Sequence, residues 1–314
     1  MTSPVPRTAS PGAPVHARVR RHAEVCAVLN DPRFAVPRAS PAPGPLGWLR
    51  RTVVRFCEGP DHQRRRALVV ELLSGLDPAA LRAAGGARAA RLAPEQVPYA
   101  PVAELAERLG FGAAGGVVPA VRAVAGAYQP GADAERAARA EEGVRTLLAA
   151  LPGGDPEEAA QRIALLVQTC DATAGLIRAV LARSAAVPPY GRRRRVRTED
   201  LVAETLRLEP PVPATRRVAL AGAALAGRTV PEGAAVLLDF AAANRDPAVF
   251  ADPDDFAPGR RTSPSLTFGY GLRPCPGEVH ARALACGVLD AVPVPDPATP
   301  PIPTPTPTPE GNPG

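Results

Sequence analysis

Cys275 lies in the run Phe268-Gly269-Tyr270-Gly271-Leu272-Arg273-Pro274-Cys275-Pro276-Gly277, a single thiol among three glycines and an arginine. These residue types suit a thiolate that binds a metal. The stretch Glu278 to Asp290 reads as a helix, which puts Cys275 at a helix N-terminus where ionised sulfur is favoured. A thiolate is therefore expected at neutral pH. Gly269, Gly271 and Gly277 allow backbone to approach a flat ligand closely, Arg273 can pair with a carboxylate of that ligand, and Phe268 can pack near the sulfur and limit water access. Against this stands an inert buried cysteine, the usual fate of a free one. Zinc is a further option, but it needs more ligands: there is no Cys-x-x-Cys, and His280 and Cys286 make no recognised zinc spacing with Cys275.

Other residues with chemical potential are scattered along the chain. His62 and Arg66 are four apart on an early helical stretch, Asp61-His62-Gln63-Arg64-Arg65-Arg66. Arg217, with Arg216 beside it, opens the strand-like Arg217-Val218-Ala219-Leu220. Glu204 and Arg207 stand one turn apart on the same face of a helix that Thr198 is expected to cap. In Gln168-Thr169-Cys170-Asp171-Ala172-Thr173, polar groups interrupt an apolar sequence, where burial is costly unless they are paired or used.

The elements that must position these residues follow from capping and breaking signals. Helices are expected over His22 to Asn30, Asp61 to Ser74, Pro78 to Leu92 and Ala100 to Leu109, with alanine-rich helical segments to Leu151. Asp155 as cap, Pro156 at the first helical position and Glu157 and Glu158 in the first turn open a helix running to about Arg183. At 1.5 Å per residue it spans roughly 40 Å and crosses the domain. Ala214 to Ala243 reads as a small antiparallel sheet, and residues 35 to 46 read as irregular. The expected fold is mainly α with small β-sheets, in the α+β class, and one domain. Its boundaries are an irregular segment at 1–15, a folded body at 16–290 and a disordered Pro-rich tail at 291–314.

Composition narrows the function class. The chain has 314 residues and a net charge of +6, but all 37 basic residues are arginine and aromatics make up 4 %, so no stacking platform for nucleic acid exists. The charge instead suits an acidic protein partner. Five widely spread cysteines and a polar, Pro-rich start point to a reducing cytoplasm without structural disulfides. No apolar run approaches the ~20 residues of a membrane helix, so no membrane association is expected.

The Phe268 to Gly277 segment resembles the haem-ligand loop of the cytochrome P450 family, whose pattern Phe-Gly-x-Gly-x-(Arg or His)-x-Cys-x-Gly is filled at every position. The resemblance extends over about residues 16 to 290 and is that of a soluble, bacterial-type member shortened in its N-terminal part, in the region roofing the substrate site between residues 110 and 155, and after the last helix. It implies haem b with Cys275 as axial ligand, and His62, Arg66, Arg217 and Arg273 on the propionates. It also implies a buried supporting triad of Glu204, Arg207 and Arg260.

In the long helix the family usually reads Ala-Gly-x-(Asp or Glu)-Thr-Thr. Here Asp171 and Thr173 keep the acid and one threonine, and Ala172 replaces the alcohol directly after the acid. Asp171 and Thr173 are thereby the implied proton path, with Thr169, an ordered water or a substrate hydroxyl as stand-ins for the missing alcohol. The resemblance implies a monooxygenase acting on a small apolar molecule, with electrons from an acidic ferredoxin or flavodoxin docking at Arg64 and Arg65. The alternatives are a peroxide-driven oxygenase and a haem-binding or accessory protein that has lost oxygenation.

Overall fold

The computed structural model describes residues 15–39, 42–112, 115–129, 131–186, 196–225, 227–260 and 265–292. Its axis is helix α8, Pro156–Ala186. Asp155 accepts a hydrogen bond from the Glu157 amide at 3.1 Å, and the two glutamates of the first turn complement the helix dipole. One face of α8 carries Ile163, Leu166, Val167, Cys170, Ala174 and Ile177, all under 4 % exposed, because apolar residues recur at three- and four-residue intervals. This stretch has the length and composition of a membrane span, which corrects the expectation drawn from uninterrupted apolar runs. Its polar residues are spaced too sparsely to disqualify it, and it packs as a core helix.

Helices α1 (His22–Asn30), α2 (Gly44–Thr52), α3 (Gly59–Ser74), α4 (Pro78–Ala89) and α5 (Ala100–Arg108) precede α6 (Val117–Tyr128) and α7 (Ala134–Ala149). Helices α9 (Thr198–Leu208), α10 (Phe240–Ala243) and α11 (Glu278–Ala291) follow α8. Six helices expected from the sequence, α1, α3, α4, α5, α8 and α11, appear within three residues of their predicted ends. Helix α2 starts inside the segment expected to be irregular, at 35–46, and runs beyond it, since Gly44 and Pro45 mask a helix start. It is tied to α8 by Gln161, fully buried, whose amide donates to the Thr52 carbonyl at 2.9 Å and accepts from the Val54 amide at 3.0 Å. A satisfied buried amide of this kind fixes one packing arrangement. The region between 110 and 155 holds α6 and α7, of 12 and 16 residues, paired across α8.

Helices α4 and α11 touch at backbone distance. A Cβ on Gly287 would lie 2.0 Å from the Arg82 carbonyl oxygen, so only glycine permits the contact.

The sheet departs from the local antiparallel reading. Strands β3 (Ala214–Ala219) and β6 (Ala235–Asp239) pair antiparallel, but β1 (Val15–Val19) adds in parallel to β6 and β2 (Phe34–Ala35) adds to β3, in the order β1-β6-β3-β2. β4 (Ala223–Leu225) and β5 (Arg228–Val230) form a separate hairpin. The strand β1 begins at Val15, and the proline tail beyond residue 292 lies outside the described residues.

Candidate active site

The cysteine loop is built from a 3₁₀ turn at Leu266–Phe268 to the start of α11. The Cys275 amide donates to the Phe268 carbonyl at 2.7 Å and the Gly269 amide to the Leu266 carbonyl at 2.8 Å, which closes the loop on itself. Gly271 has φ +68, and a Cβ there would lie 2.2 Å from Asn30 Oδ1. Its glycine is therefore demanded by the C-terminal end of α1, beneath which the loop folds, while Gly277 serves as the N-cap position of α11. Phe268 is half-buried, with the Arg282 guanidinium 5.2 Å from its ring.

Cys275 is exposed as a residue, yet dense protein around its sulfur pushes the thiol above its ordinary range. The Gly277 amide and Arg66 work in the opposite direction, and Glu278 adds to the rise. The expected neutral-pH thiolate is thus not a property of the protein alone, because desolvation outweighs the helix terminus. A coordinating metal deprotonates such a thiol outright.

Beside the loop lies a cluster of basic side chains. Arg273 donates to the Cys57 carbonyl at 3.1 Å and to the Glu58 carboxylate, and Arg66 donates to the Pro274 carbonyl at 2.9 Å. His62, half-buried, is held down to about 4 by burial, then by Arg273 and Arg66. Arg217 is 7 % exposed. Its contacts are the Thr215 hydroxyl at 3.4 Å and the Arg216 carbonyl at 2.9 Å, with no acid in ion-pair reach among the described residues. Burial, then Arg55 and Arg273, lower its pKa to about 10, with Glu58 opposing. Strand alternation separates Arg216, which stays half-exposed, from Arg217.

A buried guanidinium without a carboxylate is costly unless an anion comes to it. His62 feels the charges of Arg273 and Arg66, and Arg217 feels that of Arg273, so Arg273 links the four groups. They therefore fit a ligand that brings two carboxylates beside a thiol, as haem does.

Beneath the loop, Arg207 holds Glu204 in a bidentate pair at 2.9 and 2.7 Å, and Arg260 joins at 3.2 Å. Glu204 and Arg207 are under 5 % exposed. Arg207 also donates to the Asn244 carbonyl, whose side chain accepts from the Leu266 amide at 2.8 Å and donates to the Thr267 hydroxyl at 3.1 Å. The triad is thereby wired to the base of the cysteine loop. Thr198 does not cap α9; its hydroxyl donates to Asp290 at 2.6 Å and the helix starts after Arg197.

On α8 the two proton-path candidates part company. Asp171 is exposed and Thr173 is 2 % exposed, since residues two apart on a helix stand about 200° apart. Thr169 is half-buried, three residues before Ala172 on the same side, with its hydroxyl donating to the Leu165 carbonyl at 2.8 Å. Arg64 and Arg65 both grip Glu157 at the start of α8, at 2.8 and 2.7 Å. The side chain of Arg65 is only 11 % exposed and that of Arg64 is 53 % exposed, so of the two only Arg64 offers charge to a partner. Arg55 and Glu58 were missed by sequence reasoning. Glu58 reads there as the residue before a helix start, and nothing local signals a partner 215 positions away.

The family model described as cytochrome P450 matches residues 180–284. The chain is 30 % identical over 311 residues to cytochrome P450 CYP199A2 of Rhodopseudomonas palustris, covering 84 % of this chain and 75 % of that protein. Shorter matches include 43 % identity over 81 residues to cytochrome P450 119 of Sulfurisphaera tokodaii. That segment is 26 % of this chain and spans only 22 % of that relative's length. Among solved structures, P450BioI in complex with an acyl carrier protein superposes with a TM-score of 0.74 at 22 % identity, covering 87 % of this chain and 83 % of that one. CalO2 gives 0.70 at 26 %, covering 89 % and 84 %. The first of these structures speaks for the fold alone. Sequence similarity along most of the chain, the superposition and the cysteine loop beside its cluster of bases agree, and the chain belongs to the cytochrome P450 family.

Proposed function

We propose that the protein is a haem-thiolate monooxygenase. The observation that carries this reading is the closed loop around Cys275 beside a cluster of bases in which buried Arg217 has no acid in ion-pair reach among the described residues. Cys275 would be the axial ligand and His62, Arg66, Arg217 and Arg273 would hold the propionates of haem b, with Phe268, Gly269, Gly271 and Gly277 shaping the loop. The bound haem supplies oxygen chemistry, with the thiolate favouring O–O cleavage. The chain's own residues orient the macrocycle, exclude water from the sulfur and bring protons. Asp171, at an open position on α8, is the candidate proton donor. Thr169 returns an alcohol to the side of Ala172, whereas Thr173 faces the core.

The substrate is a small apolar molecule and the electron donor an acidic ferredoxin or flavodoxin. Arg64 and the exposed Tyr270, Leu272 and Val279 around the loop offer such a donor one charge and an apolar surface. This predicts a modest rise in reduction rate at low salt. A rate independent of ionic strength would remove Arg64 from the docking surface. Localisation in the cytoplasm accords with this reading.

The separation of Asp171 from Thr173 and the loss of the alcohol at 172 favour a second reading. On it, the chain binds haem but either uses peroxide or performs no oxygenation. The carbon monoxide difference spectrum of the dithionite-reduced protein, compared with Cys275→Ala, tests the first step. A strongly red-shifted band lost in the variant supports the thiolate site, and its absence in the wild type removes the enzymatic reading. Product with a reductase system supports the monooxygenase, product with peroxide alone the peroxide-driven enzyme, and product with neither the accessory protein.

A further inference from the structure

Every residue selected above for a carboxylate-bearing ligand is a base, yet the structure places one acid among them. Glu58 precedes α3. Its Oε1 accepts from the Val36 amide at 2.7 Å and its other oxygen accepts from Arg273. Arg273 is therefore held by a backbone carbonyl and a carboxylate, both from the segment leading into α3, and its remaining N–H groups are open to a ligand.

Arg55 is half-buried on the 3₁₀ turn Val54–Phe56, three residues before Glu58, with its guanidinium 5.9 Å from the Phe56 ring. It makes no ion pair among the described residues, and its charge is felt by the buried Arg217. Glu58 thus pairs with Arg273 and opposes Arg55 and Arg273 in their effect on Arg217.

We propose that Glu58 is the resident counter-ion of this cluster of bases, positioning Arg273 while competing with the ligand's carboxylate for it, and that Arg55 is a further cation of the same cluster. The proposal rests on the reading in which the ligand is haem. Glu58 offsets the repulsion among the cations when no ligand anion is near, and it weakens their hold when one arrives. A glutamine at 58 keeps one acceptor oxygen, enough for the Val36 amide, while its NH2 group cannot accept from Arg273, and the charge is removed. Arg273 is then left to the propionate, and the loss of a negative charge near the haem favours its reduced form.

The test uses the haem-loaded full chain. Haem release to excess apomyoglobin is followed in the Soret region at low and high salt, beside a spectroelectrochemical reduction potential. Glu58→Gln is expected to release haem about three- to tenfold more slowly at low salt, with a smaller change at high salt and a higher potential. Glu58→Ala, which also loses the acceptor that fixes the Val36 amide beside the site, should release faster than Glu58→Gln. Arg55→Gln should release about three- to tenfold faster and lower the potential. Release from Glu58→Gln that is unchanged or faster overturns the proposal while haem still binds through Cys275. If that variant fails to fold, unchanged release and potential in Arg55→Gln overturn it. A wild type that takes up no haem with a thiolate signature overturns both this proposal and the reading beneath it.

Discussion

Glu204→Gln tests whether the triad under the cysteine loop is a structural support. The carboxylate is 4 % exposed and accepts four hydrogen bonds: two from Arg207, one from Arg260 at 3.2 Å and one from the Ala257 amide at 3.0 Å. Burial raises its pKa, but these donors outweigh it and hold the carboxyl below its usual range. Removing the charge strands Arg207, 3 % exposed. Breaking a buried pair on one side costs roughly 3–5 kcal/mol. Arg207 keeps the carbonyls of Asn244, Pro253 and Asp255, at 3.0, 2.6 and 2.9 Å, so the loss should sit near the lower end, about 3 kcal/mol.

Urea unfolding of the loaded protein by helical circular dichroism measures this. Glu135→Gln, which breaks the exposed pair with Arg139 on α7, is the control and should cost less than about 0.5 kcal/mol. Combining Glu204→Gln with Arg207→Met should recover part of the loss, since the most deeply buried unpaired charge is then gone and only Arg260, whose side chain is 11 % exposed, is left without its carboxylate. A loss under about 1 kcal/mol for the single variant, or no recovery in the double variant, would refute the reasoning that uncompensated burial controls the site.

Gly287→Ala should destabilise the fold by at least about 1–3 kcal/mol, seen as a lower thermal midpoint, because the added carbon overlaps the Arg82 backbone between α4 and α11. Stability should fall as pH is lowered, through two groups. The Glu157 carboxyl is held down to about 2 chiefly by the Arg64 hydrogen bond, with Arg65 adding to it against burial. Its contribution is therefore complete above pH ~4.5 and lost as pH falls toward 2. For His62, depressed to about 4 in the folded protein, the unfolded chain binds the proton first. Acidification from ~6.5 to 4 then favours unfolding of the haem-free protein, and His62→Gln should flatten that window of a pH-dependent melting curve. Thr173→Val should leave the carbon monoxide spectrum and turnover unchanged, whereas Asp171→Asn should slow turnover with either oxidant. The reverse order would return Thr173 to the proton path.

The cysteine loop was legible because its positions are contiguous: one run of ten residues carries the thiol, its glycines and its arginine. The helices at 22, 78, 100 and 156 were legible for the same reason, since caps and prolines act within a turn of the residues they govern. Helix α2 escaped because Gly44 and Pro45 are also loop residues, and the parallel pairing of β1 with β6 escaped because nothing local encodes a partner some 220 positions away. Gly271, read from sequence as letting backbone approach a ligand, has a further reason to be glycine in its positive φ and the nearby Leu29 carbonyl and Asn30 side chain.

Local sequence thus determined the chemistry available: a thiol at a helix start, bases at helical spacing and an acid in a long apolar helix. Only the tertiary structure decided which of these meet. It buried Arg217 and not Arg216, brought Glu58 to Arg273, used Arg65 to bind α8, and turned Asp171 and Thr173 to opposite sides. Burial and long-range charge depend on what the whole chain packs around a residue, and no window of sequence contains that.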